Sequence, residues 1–93
     1  MIISFRDKDT EVLFRTETNK RLPPDVIKRA VKQLQRLNAA ASVDDMHFPP
    51  SNRLEKLKGH KPDRWSVRVN KQYRITFEWP GSGPENVAFE DYH

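Results

Sequence analysis

The sequence contains no cysteine and only three glycines, and both shortages narrow the chemistry that the chain can carry out. Without cysteine there is no disulfide scaffold, no thiol nucleophile and no cysteine-ligated zinc site. The glycines do not have the spacing of a phosphate-binding loop. The three histidines (His47, His60 and His93) lack the spacing of metal ligands, and no nucleophile elbow is present. We therefore expect neither a cofactor nor a metal ion.

Long apolar runs are also missing. A membrane-spanning helix needs about 20 predominantly apolar residues, and hydrophobic residues make up only 35% of these 93 positions. The apolar segment at residues 1–5 is too short for a signal peptide, and charged residues follow it at once. The length fits a single domain over residues 1–93. We expect a cytoplasmic protein that makes no contact with a membrane.

The positive charge is concentrated in one part of the chain. The net charge is +4, from 17 basic and 13 acidic residues. Residues 51–74 hold eight basic side chains against two acidic ones, a local balance of +6, while the rest of the chain stands at −2. Such a stretch favours a polyanionic partner, although a solvated strand surface explains the charge equally well. The eight are Arg53, Lys56, Lys58, Lys61, Arg64, Arg68, Lys71 and Arg74.

The first half of the sequence has helical periodicity. Asp7 or Asp9 can cap a short helix over residues 10–18, and two prolines open a longer helix that extends from residue 23 to about residue 40. Apolar residues recur in this longer helix at spacings of three and four, which predicts one buried stripe. Basic residues recur every four positions on another face, which is either solvated or a contact with RNA or protein. They are Lys28, Lys32 and Arg36.

The second half alternates as β-strands do. Apolar residues occupy every second position from 65 to 69 and again from 73 to 79, and a tight turn lies between the two strands. Arg68 and Arg74 take the opposite face. Further strands are expected at 2–5, 53–58 and 86–91. The order of elements predicts an α+β fold, in which an antiparallel-rich sheet packs one face against two N-terminal helices.

RNA cleavage is a reaction for which these residue types suffice. The 2′-hydroxyl can attack the adjacent phosphate, so the protein supplies only a base, an acid and cations around the developing charge. Histidine suits proton transfer, arginine suits phosphate, and an aromatic ring can stack on a base. Candidates for these roles are His93, Arg74, Arg68, Lys58 and Tyr92.

Each candidate also has a purely structural explanation. His93 can belong to a frayed tail, and Tyr92 can be a packing residue at the edge of the sheet. Asp91 is as compatible with a surface carboxylate as with a catalytic one. Arg74 can pair with Glu78 on the same strand face. The residues alone leave these alternatives open.

Three segments together resemble the HigB type of RelE-superfamily toxin: RLEKLKG at 53–59, WSVRVNKQYRITF at 65–77 and DYH at 91–93. Length and order of elements agree along the whole chain. The resemblance implies a RelE-like fold and an endoribonuclease that enters the 30S A site of the ribosome, cuts mRNA there without a metal and so arrests growth. It also implies a HigA-type antitoxin with a helix-turn-helix, through which alone the toxin would meet operator DNA.

The resemblance also implies roles for individual residues. His93 would be the principal acid–base residue with Asp91 and Tyr92 beside it, and Arg74 and Lys58 would contact the scissile phosphate. Some relatives have a histidine at the position of Glu55, so Glu55 either acts as a base or only anchors a cation. The other basic residues of the stretch are expected to bind RNA, namely Arg53, Lys56, Lys61, Arg64, Arg68 and Lys71.

Two expectations about geometry follow. Arg68, Arg74, Lys58 and His93 should open onto one concave face. A regular last strand would put His93 on the same side as buried apolar residues, so we expect a bulge or a loosened terminus that turns it outward. Two other functions remain open, a ParE-like inhibitor of DNA gyrase and a plain RNA-binding module. The Asp-Tyr-His segment argues against the first, because an inhibitor needs no acid–base residue there.

Overall fold

The computed structural model describes residues 1–92 and has an α+β fold. Two helices come first, α1 (Lys8–Thr16) and α2 (Pro24–Ala39), and two short 3-10 helices follow at Val43–His47 and Pro50–Asn52. Within residues 1–92, four strands complete the fold: β1 (Glu55–Leu57), β2 (Arg64–Arg68), β3 (Tyr73–Glu78) and β4 (Glu85–Asp91). Each strand pairs antiparallel with the next one along the chain, in the order β1-β2-β3-β4. The predicted fold class is confirmed.

Helix α1 begins where the sequence provides a cap. Asp7 has extended backbone, and its Oδ1 accepts the amide of Thr10 at 2.8 Å, which satisfies one of the free N–H groups of the first turn. The helix ends at Glu17, whose φ of 57° is left-handed. Asp7 rather than Asp9 is therefore the cap, and α1 lies two residues earlier than the predicted 10–18.

Helix α2 packs its apolar stripe against the sheet. Pro24 stands in its first turn, where the missing N–H has no cost. The stripe meets one face of the central strands, since α2 contacts β3 and α1 contacts both α2 and β4. The buried residues that form this core include Ala30, Leu34 and Leu37 of α2 and Val67, Ile75, Phe77 and Val87 of the sheet. No helix within residues 1–92 combines the length and the apolar character needed to cross a membrane.

The strand predicted at residues 2–5 is reduced to a single parallel bridge between Phe5 and Val87. The amide of Ile3 donates to the carbonyl of Pro84 at 2.8 Å, so the segment does lie along β4. A longer ladder does not form because the start of β4 is irregular. Asn86 has a positive φ of 51°, and the β3–β4 register shifts near this point.

The face of the sheet opposite the helices is polar, and one prediction about it was wrong. Arg64, expected among the RNA-binding residues, is only 4% exposed. Its guanidinium donates to Thr76 Oγ1 at 2.8 Å, to the carbonyl of Asn86 at 2.8 Å and to Glu78 Oε2 at 3.2 Å. Arg64 thus lies flat across β3, because a buried guanidinium needs these acceptors, and it is not on the open surface.

Candidate functional site

A cleft with a volume of about 340 Å³ lies on the polar face of the sheet, around Arg74. Strands β1, β2 and β3 and the residue that follows β4 contribute to it. Four of its lining residues are cations and one is an acid, so the cleft carries an excess of positive charge. These residues are Arg53, Glu55, Arg68, Lys71 and Arg74, and Tyr92 adds an aromatic ring. We call it the Arg74 cleft.

The guanidinium of Arg74 is fixed by its neighbours. Its Nε donates to Ser66 Oγ at 2.7 Å, and Nη2 donates to the carbonyl of Arg53. Ser66 itself is fully buried on the adjacent strand. Nη1 lies 3.9 Å from Glu55 Oε1, which is too long for a hydrogen bond. Arg74 therefore pairs loosely with Glu55, and Glu78, the alternative partner, is taken by Arg64.

Among the described residues that line the cleft, the positive charges around Arg74 outnumber the negative ones. Burial lowers the pKa of the Arg74 guanidinium, Glu55 and Tyr92 oppose that shift, and Arg68 and Arg53 add to it. Arg68 also stands directly opposite Arg74 in the β2–β3 register, an arrangement of like charges that destabilises a sheet. An arginine guanidinium is effectively always protonated in a protein, so Arg74 keeps its positive charge. A fixed, uncompensated cluster of this kind is suited to an anion.

The end of β4 is regular rather than bulged. Asp91 pairs with Tyr73, its Oδ2 accepts Gln72 Nε2 at 3.1 Å, and the amide of Tyr92 donates to the carbonyl of Gln72 at 2.6 Å. The expected bulge is therefore absent up to residue 92, and the irregularity of the β3–β4 pair lies at its other end. Tyr92 is 45% exposed and offers a ring to a base. His93, the predicted acid–base residue, lies outside the described residues.

Lys58 does not line the Arg74 cleft in the described part of the chain. It lines a separate depression of about 820 Å³ together with Lys56 and Lys61. Glu55 stands opposite Ser66 on the polar face, whereas Lys56 stands opposite Trp65 on the other, and Lys58 lies in the turn that follows the end of β1 at Leu57. Lys56 Nζ also forms an ion pair with Asp63 Oδ2, at 3.1 Å. The expectation of one concave face thus holds for Arg68 and Arg74 and fails for Lys58.

Sequence reasoning missed the residues that position Arg53 and Arg68. Asn52 is 1% exposed, and its Nδ2 donates to the carbonyls of Met46 at 3.1 Å and Phe48 at 3.0 Å. Gln33 of α2 donates to Asn52 Oδ1 at 2.9 Å and to the carbonyl of Arg68 at 2.7 Å. A glutamine one position before Leu34 in the buried stripe was the available signal, because a buried amide requires partners.

The described residues contain no group of three or more His, Asp or Glu side chains that could hold a metal ion. The side chains that line the cleft offer guanidinium groups for a phosphate, a carboxylate at Glu55 and an aromatic ring at Tyr92. This set can bind a phosphate and stabilise negative charge that develops on it.

Comparison with known proteins identifies the family. A model of the RelE-like toxin of type II toxin–antitoxin system HigB matches residues 3–93. The chain belongs to this family. Toxin HigB-1 of Vibrio cholerae is 40% identical over 93 residues, which cover 99% of this chain and 94% of that protein. Endoribonuclease HigB of Proteus vulgaris is 29% identical over 93 residues, which cover 100% of both chains.

Membership confirms the resemblance found in the sequence. The α+β architecture with two N-terminal helices is that of a RelE-like toxin. Because the family consists of toxins of type II toxin–antitoxin systems, an antitoxin partner follows from it.

Proposed function

We propose that this HigB-family toxin is an endoribonuclease that cuts mRNA in the ribosomal A site by attack of a 2′-hydroxyl on the adjacent phosphate, without a metal ion. The observation that carries the proposal is the Arg74 cleft, where three guanidinium groups and a lysine surround one exposed carboxylate. A relative that covers the whole chain is named as an endoribonuclease. A cytoplasmic location would follow from a ribosomal target.

The cleft suggests a division of labour among its residues. Arg74, held by Ser66 and by the carbonyl of Arg53, would place its fork on the scissile phosphate and stabilise the charge that develops there. Arg68 would strengthen this field from the opposite strand. Tyr92 would stack on a base splayed out of the mRNA.

Proton transfer falls to two residues. The resemblance gives His93 the principal role, with Asp91 close to it in sequence. Glu55 is the one carboxylate among the described residues that line the cleft, which makes it the candidate for the second proton-transfer group or for the anchor of Arg74. Lys58 would reach the phosphate only after moving out of its separate depression. Arg64 would stabilise the sheet through its hydrogen bond to Thr76 and would not contact RNA.

The proposed partners are the ribosome, its mRNA and a HigA-type antitoxin with a helix-turn-helix. Operator DNA would be met only through that antitoxin. The basic residues outside the cleft, Lys56, Lys61 and Lys58, would face RNA from the edge of the sheet.

Replacement of the acid–base residue tests the proposal. His93→Gln, or deletion of the last two residues, should abolish growth arrest, because proton transfer contributes about 10²–10⁴ in rate. The variants should still fold and still bind the antitoxin. The measurement is a map of mRNA 5′ ends after induction, in which the wild-type protein should give in-frame cuts that vanish when translation is blocked.

Other outcomes of this experiment would count against the proposal. Full toxicity of the deletion variant would remove His93 from the mechanism. Inhibited supercoiling by purified gyrase without mRNA cuts would indicate the ParE-like alternative. Strongly salt-dependent RNA binding with no cleavage on translating ribosomes would indicate a plain RNA-binding module.

A further inference from the structure

A larger cavity adjoins the Arg74 cleft. Its volume is about 790 Å³, and it lies between α2, the 3-10 helix Pro50–Asn52 and the turn that joins β2 to β3. Six of its lining residues are cations and none is acidic. The six are Arg29, Lys32, Arg36, Arg53, Arg68 and Lys71. We call this cavity the α2 groove.

Within residues 1–92, no ion pair neutralises the charge of the α2 groove. None of the ion pairs formed among residues 1–92 includes any of the six cations. Helix α1 behaves differently, because there Lys8 and Arg15 both pair with Glu11, at 3.5 and 3.0 Å. Six unpaired cations in one cavity repel each other, and an anion from outside would relieve that repulsion.

The floor of the α2 groove is built from buried polar contacts. Gln33 is 6% exposed and joins α2 to β2 through the carbonyl of Arg68, at 2.7 Å. Arg36 Nη1 donates to Gln33 Oε1 at 3.1 Å, so this guanidinium is held at the wall. Asn52 completes the network from the 3-10 helix. The cations therefore stand on a fixed frame, which lowers the ordering cost of binding.

The α2 groove and the Arg74 cleft are continuous. Arg53, Arg68, Asn70 and Lys71 line both of them. A strand that entered the cleft at Arg74 could leave past Arg68 and Lys71 and would meet cations along its whole path. This continuity favours a nucleic-acid backbone over an acidic peptide, because a nucleic-acid strand carries a phosphate at every nucleotide along such a path.

We propose that the α2 groove binds the sugar–phosphate backbone of the RNA strand whose scissile phosphate lies in the Arg74 cleft. The inference rests on the proposed function in so far as the cleft holds RNA. It gives a role to the cations of α2 that line the groove, with Arg29 and Lys32 as phosphate contacts remote from the reacting atoms. These contacts read no bases, so they act on every sequence alike.

Binding of an RNA that cannot be cleaved tests this inference separately from catalysis. The probe is a labelled decanucleotide of 2′-O-methyl RNA, which lacks the attacking hydroxyl, and the measurement is its fluorescence anisotropy with the full chain over a series of salt concentrations. The groove variant is Arg29→Gln/Lys32→Gln. The matched control is Lys20→Gln/Lys28→Gln, which removes the same charge from residues that line neither cavity.

For the groove variant, the slope of log K against log salt should become shallower by about 1.4, since each contact on a single strand contributes about 0.7. The control should keep the wild-type slope. Equal losses in both variants, an unchanged groove variant or a wild-type protein that does not bind the probe would each overturn the inference. An unchanged RNA affinity with weakened antitoxin binding would assign the groove to a protein instead.

Cleavage is then mapped separately in the same variants. If the wild-type protein binds the probe through the groove but produces no mRNA cuts, the proposed function fails and the groove stands. If cuts occur and the groove variant binds and cleaves like the wild type, the groove inference fails and the function stands.

Discussion

At the scale of single residues, Arg64 joins three strands with one side chain. It belongs to β2, bonds to Thr76 and Glu78 of β3 and reaches the carbonyl of Asn86 in β4. Thr76 in turn donates to Glu90 of β4. Since Arg64 and Glu78 have side chains only 5% and 18% exposed, removal of one partner leaves the other charge poorly solvated.

The substitution Arg64→Leu should therefore destabilise the fold. Breaking a buried ion pair costs about 3–5 kcal/mol, and in a domain of this size each kcal/mol lowers Tm by about 4–8 °C. Thermal and urea unfolding should show a fall in Tm of at least about 10 °C. The double variant Arg64→Leu/Glu78→Leu should recover part of the loss, because no charge then stays unpaired. An unchanged Tm in the single variant would show that the pair is not structural.

The alternation of the sequence predicted which cations lie on the polar face of the sheet, but it could not predict which of them line the cleft and which are buried. Arg64, Arg68 and Arg74 all have the period that puts them on the polar face, and Arg68 and Arg74 do line the cleft. Arg64 has the same period and is buried instead. Its acceptors come from β3 and from the irregular start of β4, and no local pattern reveals which carboxylate a guanidinium will reach.

At the scale of elements, a single hydroxyl connects α1 with β4. Thr10 is 2% exposed. Its Oγ1 donates to Asp7 Oδ1 at 2.8 Å and accepts the amide of Phe89 at 3.0 Å. The cap of the first helix and the backbone of the last strand thus share one group, and Tyr92, the residue that follows β4, lines the cleft.

The substitution Thr10→Val should loosen this connection while keeping the shape of the side chain. The amide of Phe89 loses its partner, which costs about 1–3 kcal/mol. We expect faster hydrogen exchange at Phe89 and a lower midpoint of urea unfolding. Thr10→Ser, which retains the hydroxyl, is the control and should stay close to the wild type in exchange rate. Equal exchange at Phe89 in both variants would contradict the assigned bond.

Elements with several regular turns or strong alternation were predictable, and irregular ones were not. The buried stripe of α2 and the alternation of β2 and β3 gave bounds within one or two residues of the observed ones. The strand at 2–5 was wrong because its pairing depends on β4, more than 80 positions away, where a positive φ interrupts the ladder. The contact between Gln33 and Asn52 was not predicted for a similar reason, because the two residues are 19 positions apart in the sequence.

At the scale of the whole molecule, the segment before α1 lies against the loop that leads into β4. A Cβ placed on Gly83 would lie 2.6 Å from the carbonyl oxygen of Met1 and 3.2 Å from Ile3 Cγ1. Glycine is thus required by a close approach of two distant parts of the backbone. Gly81, two positions earlier in the same loop, has nothing within 4 Å of its Cβ position.

The two glycines give a matched pair of substitutions. Gly83→Ala should destabilise the fold by about 1–3 kcal/mol, as overpacking does, whereas Gly81→Ala should leave the stability within about 1 kcal/mol of the wild type. Urea unfolding of both variants measures the difference. If the two substitutions had the same effect, the segment before α1 would not be packed as described.

The contacts of α1 and of residues 3–6 with β4 also determine when these N-terminal segments can reach their native contacts during translation. Thr10 can form its hydrogen bond only after Phe89 has been translated, and the segment around Phe5 can form its bridge only after Val87 has been translated. Tyr92, which lines the Arg74 cleft, is translated later still. The ribosome that synthesises this toxin therefore translates nearly all of the described sequence before the Arg74 cleft can form. That cleft is the site at which we propose that the toxin cleaves mRNA.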